Sequence, residues 1–210
     1  MTSNDKVFLE ALLTGNRVRG SEIVKEIYNK GFSIEDIYEN LIRSALYEVG
    51  RLWETGKISV ATEHLASAIV ESILIEMYHN ILSFSIKEKK VVVSCMENEF
   101  HQIGSRMVAD IFEHNDWETY YLGANTPTPE LIPFVRDKKP DILALSLTLS
   151  QNLPVLDQVL ANIRKELPEI PVIIGGQAFQ RAGRDLESKY KNVRFLENLK
   201  SLQTCIKSNC

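Results

Sequence analysis

Val91-Val92-Val93-Ser94-Cys95-Met96-Glu97-Asn98-Glu99-Phe100-His101-Gln102-Ile103-Gly104 reads as a strand-length apolar run, a polar loop with one histidine, and a glycine opening a helix-like segment from Arg106 to Phe112. A strand that feeds a loop and then a helix belongs to a parallel sheet. Its loop projects the imidazole from the carboxyl edge, where open α/β sheets bind ligands. Imidazole is also the commonest side-chain metal ligand. Taken alone, Glu99 to Gly104 is equally compatible with a solvated loop histidine.

Working outward, the charged stretch Lys87-Glu88-Lys89-Lys90 marks a change of period. Beyond it, Val91 to Met96, Thr119 to Leu122, Ile142 to Ser146, Val172 to Ile174 and Val193 to Leu196 read as strands. Segments near 103–115, 128–138, 153–166, 178–189 and 198–207 read as helices between or after them. Such alternation predicts a five-stranded parallel sheet, doubly wound, with right-handed crossovers. Before the boundary, apolar residues recur at three- and four-residue spacing, as in Ile37, Leu41, Ile42 and Ala45 or Leu65, Ile69, Ile73 and Met77. Gly15-Asn16, Gly31-Phe32-Ser33 and Thr55-Gly56-Lys57 punctuate the pattern, and Ser21, Ser33 and Ser59 are candidate N-caps. The expectation is an α/β chain: a helical cap bundle over residues 1–86 and a flavodoxin- or Rossmann-like sheet over 90–210.

Composition narrows the partners. The 210 residues carry a formal net charge of −4, without the clustered basic face of a direct nucleic-acid binder. No apolar run approaches the ~20 residues that cross a bilayer, and the first residues lack the basic-then-apolar order of a signal peptide. The chain therefore reads as cytoplasmic, with no membrane and no nucleic acid among its direct partners. Cys95, Cys205 and Cys210 do not stand at metal-binding spacing, and Cys95, inside a strand, is a small buried hydrophobe. The four histidines, His64, His79, His101 and His114, are the scarcer resource.

In such a sheet the residues following successive strands converge on one edge. His101 follows the first strand, Ser146-Leu147-Thr148 the third and Gly175-Gly176 the fourth. Hydroxyls supply hydrogen bonds at a crevice floor, and paired glycines let an elongated ligand lie against bare backbone. Alone, the hydroxyls are better explained as caps of the next helix and the glycines as an ordinary strand-to-helix turn.

The spacing carries a resemblance. Gly104 and Ser146 are separated by 41 residues, and Thr148 and Gly175 by 26. This is similar to the cobalamin-binding pattern Asp-x-His-x-x-Gly, about forty residues, Ser-x-Leu or Ser-x-Thr, under thirty more, and Gly-Gly. The resemblance implies that His101 displaces the dimethylbenzimidazole base of adenosylcobalamin or methylcobalamin and ligates cobalt from below. Gln102, Ile103 and Gly104 complete that motif; Ser146, Leu147 and Thr148 line a slot for the nucleotide tail, and Gly175 and Gly176 flank it. Glu99 stands where many relatives carry aspartate. A carboxylate there accepts the other ring N–H and fixes the tautomer.

Upstream, Trp53 is followed after nine residues by Glu63-His64. A helix ending near Trp53, a glycine turn and a helix starting at Ser59 put these three on one hairpin. Alone, Trp53 reads as core packing and His64 as a surface residue. Together they resemble the cap of light-responsive cobalamin repressors of the MerR superfamily, in which the tryptophan covers the upper adenosyl group and the glutamate and histidine contact that region. Two departures matter. The chain opens directly on the cap bundle, without the MerR-type DNA-binding domain, and Glu54 stands where those repressors place a histidine that takes the upper cobalt position after photolysis.

Two functions follow as expectations: a cobalamin-binding sensor acting through a protein partner or self-association, or a corrinoid methyl carrier serving separate methyltransferase subunits. No barrel domain for radical mutase chemistry is present, so a complete enzyme is not expected. A cofactor-free receiver domain needs a phosphorylatable aspartate after the third strand, and Ser146-Leu147-Thr148 occupies its place.

Overall fold

The computed structural model describes residues 3–81, 87–180, 182–183 and 185–208. The chain divides into two compact units, Met1–Leu82 and Ser83–Cys210.

The first unit is helical. It comprises α1 (Ser3–Leu13), α2 (Arg17–Asn29), α3 (Ile34–Asp36), a π-helical stretch (Ile37–Arg43), α4 (Ser44–Glu54), α5 (Val60–Met77) and a 3-10 turn (Tyr78–Asn80). The three- and four-residue repeats become its core: Ile23, Val24 and Ile27 on α2, Ile37, Tyr38, Leu41 and Ile42 on the π stretch, and Ile69, Val70, Ile73 and Leu74 on α5 are buried. Ser33 and Ser59 cap α3 and α5 by accepting from the backbone N–H groups of Asp36 and Thr62. Ser21 is not a cap. Gly15 takes φ +76°, and Asn16 caps α2 five residues earlier by accepting from Arg19 N at 3.0 Å. That places Ser21 in the helix interior, where its hydroxyl donates to the Glu76 carboxylate on α5.

The second unit contains β1 (Lys89–Cys95), α6 (Ile103–His114), β2 (Trp117–Gly123), α7 (Thr128–Lys138), β3 (Ile142–Ser146), α8 (Leu153–Glu166), β4 (Val172–Gly175), α9 (Leu186–Lys189), β5 (Val193–Phe195) and α10 (Leu199–Lys207). The strands form one parallel sheet in the order β2-β1-β3-β4-β5. Val92, Leu143, Leu145, Val172 and Ile174 pack in one cluster with Leu131, Ile132 and Val135 of α7 and Leu156, Val159, Leu160 and Ile163 of α8. By the two-residue alternation of strands, Val91, Val93, Ala144 and Ile173 point to the opposite face. The central strands are therefore buried on both faces, which is why they read as continuous apolar runs.

One element departs from expectation. Residues 178–189 do not form one helix but a 3-10 turn (Gln177–Gln180) and the single helical turn α9. Gly183 lies between them at φ +84°, a conformation incompatible with a right-handed helix, and a Cβ there would meet Leu153 Cδ2 at 2.5 Å. Among the described residues no helix is long and apolar enough to cross a membrane.

Candidate functional site

The strand order places the topological switch between β1 and β3, where crossovers leave in opposite directions and open a crevice at the carboxyl edge. Register brings three loops level there. Cys95 at the end of β1 pairs with Ser146 at the end of β3, which pairs with Gly175 at the end of β4.

Glu99 joins two of these loops. Its side chain is fully buried and accepts four hydrogen bonds. Oε1 takes the ring Nδ1–H of His101 at 2.6 Å and the His101 backbone N–H at 2.9 Å. Oε2 takes the backbone N–H groups of Thr148 at 2.7 Å and Leu149 at 3.1 Å, both beyond β3. Burial pushes this carboxyl up, but the His101 ring and the three backbone donors outweigh it and hold the group at about 2. An ionised carboxylate can only accept, so Nδ1 carries the ring proton and Nε2 is the nitrogen suited to bind a metal. The His101 side chain is 52% exposed.

The loop around it is tied down on both flanks. Asn98 and Asn125 adopt positive φ, at 66° and 50°, as short polar side chains tolerate. Asn98 N donates to Asn125 Oδ1 at 2.9 Å, Asn125 N to the Glu99 carbonyl at 2.8 Å, and Asn152 Nδ2 to the Asn98 carbonyl at 3.1 Å. Glu97 caps α7 from outside, its Oε2 accepting from Thr128 N at 3.1 Å and Thr128 Oγ1 at 2.9 Å. The loops after β1, β2 and β3 thus form one interlocked platform.

The remaining motif residues fall into two groups. Gln102 and Ile103 are half-buried at the start of α6, with Gln102 Oε1 lying 3.4 Å from where a Cβ on Gly123 would stand. Gly104 is exposed, and the nearest atom to a Cβ placed on it is Ser146 Oγ at 3.9 Å, so this surface has room. Ser146 and Thr148 are half-buried at the same edge. Neither hydroxyl caps α8, whose N-cap is Asn152. Leu147 belongs to the core: its side chain is fully buried, its N–H donates to the Gly175 carbonyl at 2.9 Å and its carbonyl accepts from Ala178 N at 3.3 Å. The glycine pair has a structural reason of its own. A Cβ on Gly176, at φ +117°, would stand 2.2 Å from the Leu147 carbonyl oxygen, and one on Gly175 would stand 3.1 Å from that of Leu196. The glycines let backbone meet backbone before any ligand arrives.

In the helical unit, Trp53 ends α4 with 47% of its surface exposed, so it is not a core residue. Gly56 turns the chain at φ +68°, and α5 then carries Glu63 and His64 in its first turns. Glu63 accepts from Ser67 Oγ at 2.8 Å, and its other oxygen lies 3.5 Å from His64 Nε2, whose side chain is 74% exposed. Val60 and Leu65 are also exposed on this hairpin, at 50% and 46%.

Sequence reasoning missed Glu97, Asn98, Asn125 and Asn152. Only the two asparagines at positive φ left a trace, as polar turn formers flanking predicted strands. A group beneath the loop, Cys95, Ser105 and Tyr121, was also missed. Burial pushes the Cys95 thiol up to about 11, so it is present as a neutral donor.

A single half-exposed imidazole, its tautomer fixed by a buried carboxylate and its loop braced on both sides, suits a metal that requires one protein nitrogen. The open surface at Gly104 beside Ser146 suits a ligand lying along the edge. Comparison with known proteins identifies the family. Family models described as B12 binding domains match residues 89–195 and residues 6–76. The HTH-type transcriptional repressor CarH of Myxococcus xanthus is 29% identical over 142 residues, covering 67% of this chain and 47% of that protein. The dimethylamine corrinoid protein 1 of Methanosarcina acetivorans is 25% identical over 155 residues, 71% of this chain and 72% of that one. The chain spans less than half the length of CarH and of the repressor CarA, of which it covers 41%. In fold it matches the monomethylamine corrinoid protein of Methanosarcina barkeri with a TM-score of 0.80 at 15% identity, over 96% of each chain. With the first of these models spanning just over half the chain, and all the edge residues inside it, the chain belongs to the B12-binding domain family and is a cobalamin-binding protein.

Proposed function

We propose that the chain is a cobalamin-dependent sensor in which His101, through Nε2, is the lower axial ligand of cobalt. The observation that carries this reading is the bond between the His101 ring and the buried, ionised Glu99, because it fixes both the tautomer and the ring direction. Bound there, cobalamin in its adenosyl or methyl form supplies a cobalt–carbon bond that can be broken by light or by a nucleophile. Glu99 holds the ring proton on Nδ1, so that the neutral ring presents Nε2 as its lone-pair nitrogen, and bracing the loop limits the histidine's travel. Ser146 and Thr148 offer hydrogen bonds along the edge, with Gly104 leaving room beside them. The Leu147, Gly175 and Gly176 backbones set the distance between the two loops.

We assign Trp53, Glu63 and His64 to the upper ligand. Support comes from the exposure of Trp53 and His64 on one hairpin and from the likeness to CarH and CarA, both named as transcriptional repressors. Loss or exchange of the upper ligand then changes what this hairpin contacts and biases association with a protein partner or a second copy. The alternative is a methyl carrier. Its support is the matched extent of the dimethylamine corrinoid protein.

The absorption spectrum of the chain loaded with adenosylcobalamin tests the first claim. The wild type should show the base-off, His-on spectrum, and His101→Ala should lose it; an unchanged spectrum in the variant removes His101 from the site. Green light separates the two functions. A sensor changes spectrum and assembly on illumination, by light scattering. A carrier keeps its assembly and accepts a methyl group from a partner methyltransferase.

A further inference from the structure

Beneath the loop that presents His101 stand three side chains that metal ligation itself does not use. Cys95 ends β1, Ser105 lies in the first turn of α6, and Tyr121 projects from the neighbouring strand β2. Cys95 and Ser105 are fully buried. All three aim at two consecutive carbonyls. Ser105 Oγ donates to the Gln102 carbonyl at 2.8 Å, Tyr121 OH donates to the same oxygen at 3.2 Å, and Cys95 Sγ donates to the His101 carbonyl at 3.5 Å. They also touch one another: Cys95 Sγ lies 3.0 Å from Ser105 Oγ, and Ser105 Oγ lies 3.5 Å from Tyr121 OH. The Tyr121 ring is held in turn, with the Arg106 guanidinium 5.5 Å from its centroid and Arg106 Nε donating at 2.9 Å to the buried Asp110.

The Gln102 carbonyl already accepts the Arg106 N–H at 2.9 Å, which is all that opening α6 requires of it. Two further side-chain donors on that oxygen exceed the needs of the helix. They matter for the histidine. Glu99 grips His101 from the front, at its ring and its own N–H, and nothing in that grip fixes the carbonyl side of the residue. The thiol does so from behind, at the His101 carbonyl, and the two hydroxyls hold the next peptide, at the Gln102 carbonyl.

We infer that Ser105 and Tyr121 are positioning residues for His101, setting how far the imidazole stands from the sheet edge and so how well it reaches cobalt. The inference rests on the proposed ligation by His101. Partners that orient a metal ligand through hydrogen bonds contribute about 10- to 100-fold in metal affinity. One step further from the ring, Tyr121→Phe should weaken cobalamin retention by about 3- to 10-fold, and Ser105→Ala by about 10-fold.

The test loads His101→Ala, Tyr121→Phe, Ser105→Ala and Ser105→Thr with hydroxocobalamin. It reads affinity, the share of the His-on absorption spectrum, and the nitrogen splitting in the electron paramagnetic resonance spectrum of the reduced, cobalt(II) cofactor. Thermal melting of the cofactor-free proteins runs beside it. The expected result is a diminished His-on share and blurred nitrogen splitting in Tyr121→Phe and Ser105→Ala, with Ser105→Thr restored towards wild type. Tyr121→Phe keeps the ring in place and decides the matter if Ser105→Ala does not fold. If His101→Ala loses the signal while Tyr121→Phe keeps wild-type affinity and spectrum, whatever its melting point, the positioning role is overturned and ligation stands. If His101→Ala itself matches wild type, the ligation reading fails and this one with it.

Discussion

Replacing Glu99 by glutamine is the sharpest test of the platform, because it keeps shape and removes charge. The carboxylate accepts four hydrogen bonds in a fully buried position. A carboxamide offers one oxygen, so two of the four donors face an NH2 group instead. A buried donor without a partner costs about 1–3 kcal/mol, or about 2–6 kcal/mol for the two. A second route gives a similar figure: a carboxyl held at about 2 against an ordinary 4.5 favours the ionised form by about 3 kcal/mol. With urea slopes of about 1–3 kcal/mol per molar, a loss of about 3 kcal/mol should make Glu99→Gln unfold the sheet unit about 1–3 M earlier at pH 7.

The assay uses the cofactor-free protein carrying Trp53→Phe. Of the chain's two tryptophans this leaves Trp117, buried on β2 against the Phe112 ring at 5.0 Å, to report on the sheet unit alone. Acid supplies a second reading with a definite sign. A carboxyl whose folded value is depressed contributes stability that is complete above its unfolded value and is lost as pH falls through the folded one. The gap between wild type and variant should therefore be full at pH 7 and close between about pH 4.5 and about 2. Equal midpoints at pH 7, or a gap that persists undiminished into acid, would refute the reasoning.

Other positions make separate claims. Gly176→Ala, at φ +117° with its Cβ 2.2 Å from the Leu147 carbonyl oxygen, should cost more than about 3 kcal/mol by chemical denaturation, and a wild-type midpoint would show that the two loops are not in backbone contact. Gly104→Ala should do the reverse: with its nearest neighbour 3.9 Å away it gains up to about 1 kcal/mol of helix propensity in the cofactor-free protein, yet on the proposed site it loses cobalamin affinity several-fold. Equilibrium dialysis with adenosylcobalamin decides; undiminished affinity moves the cofactor away from Gly104. Asp157 takes Lys189 Nζ and Tyr190 OH at 2.6 Å, and Lys189, then Tyr190, hold its carboxyl below the ordinary range. Both ion-pair partners are substantially exposed, so Asp157→Asn should cost less than about 1 kcal/mol at pH 7 and flatten the acid loss of stability, seen as converging melting points below pH 4; a constant difference would argue against it.

What could be read in the sequence was what local chemistry determines. The apolar runs at Val91–Met96 and Ile142–Ser146 are strands because both faces are covered, and Ser33 and Ser59 cap helices because their bonds lie within three residues. Misreadings arose where a neighbouring residue prevailed. Asn16 began α2 before Ser21 was reached, and Gly183 cut the segment 178–189. What stayed hidden is long-range. Glu97 capping Thr128, Asn152 reaching Asn98, and Tyr121 bonding Gln102 join residues 31, 54 and 19 positions apart, and no window on one strand contains both partners.

Glu99 shows how a change that looks mild in the sequence acquires structural weight. Where many relatives carry aspartate, a glutamate reads as the same carboxylate with a longer reach. In the folded chain its two oxygens are divided between loops, Oε1 serving His101 and Oε2 serving Thr148 and Leu149. A single carboxylate both sets the tautomer of the histidine and ties it to the end of β3. The position of the imidazole is thereby inherited from the pairing of β1 with β3, the most buried part of the sheet. On the proposed ligation, a pull on His101 would pass through Glu99 to the backbone N–H groups of Thr148 and Leu149.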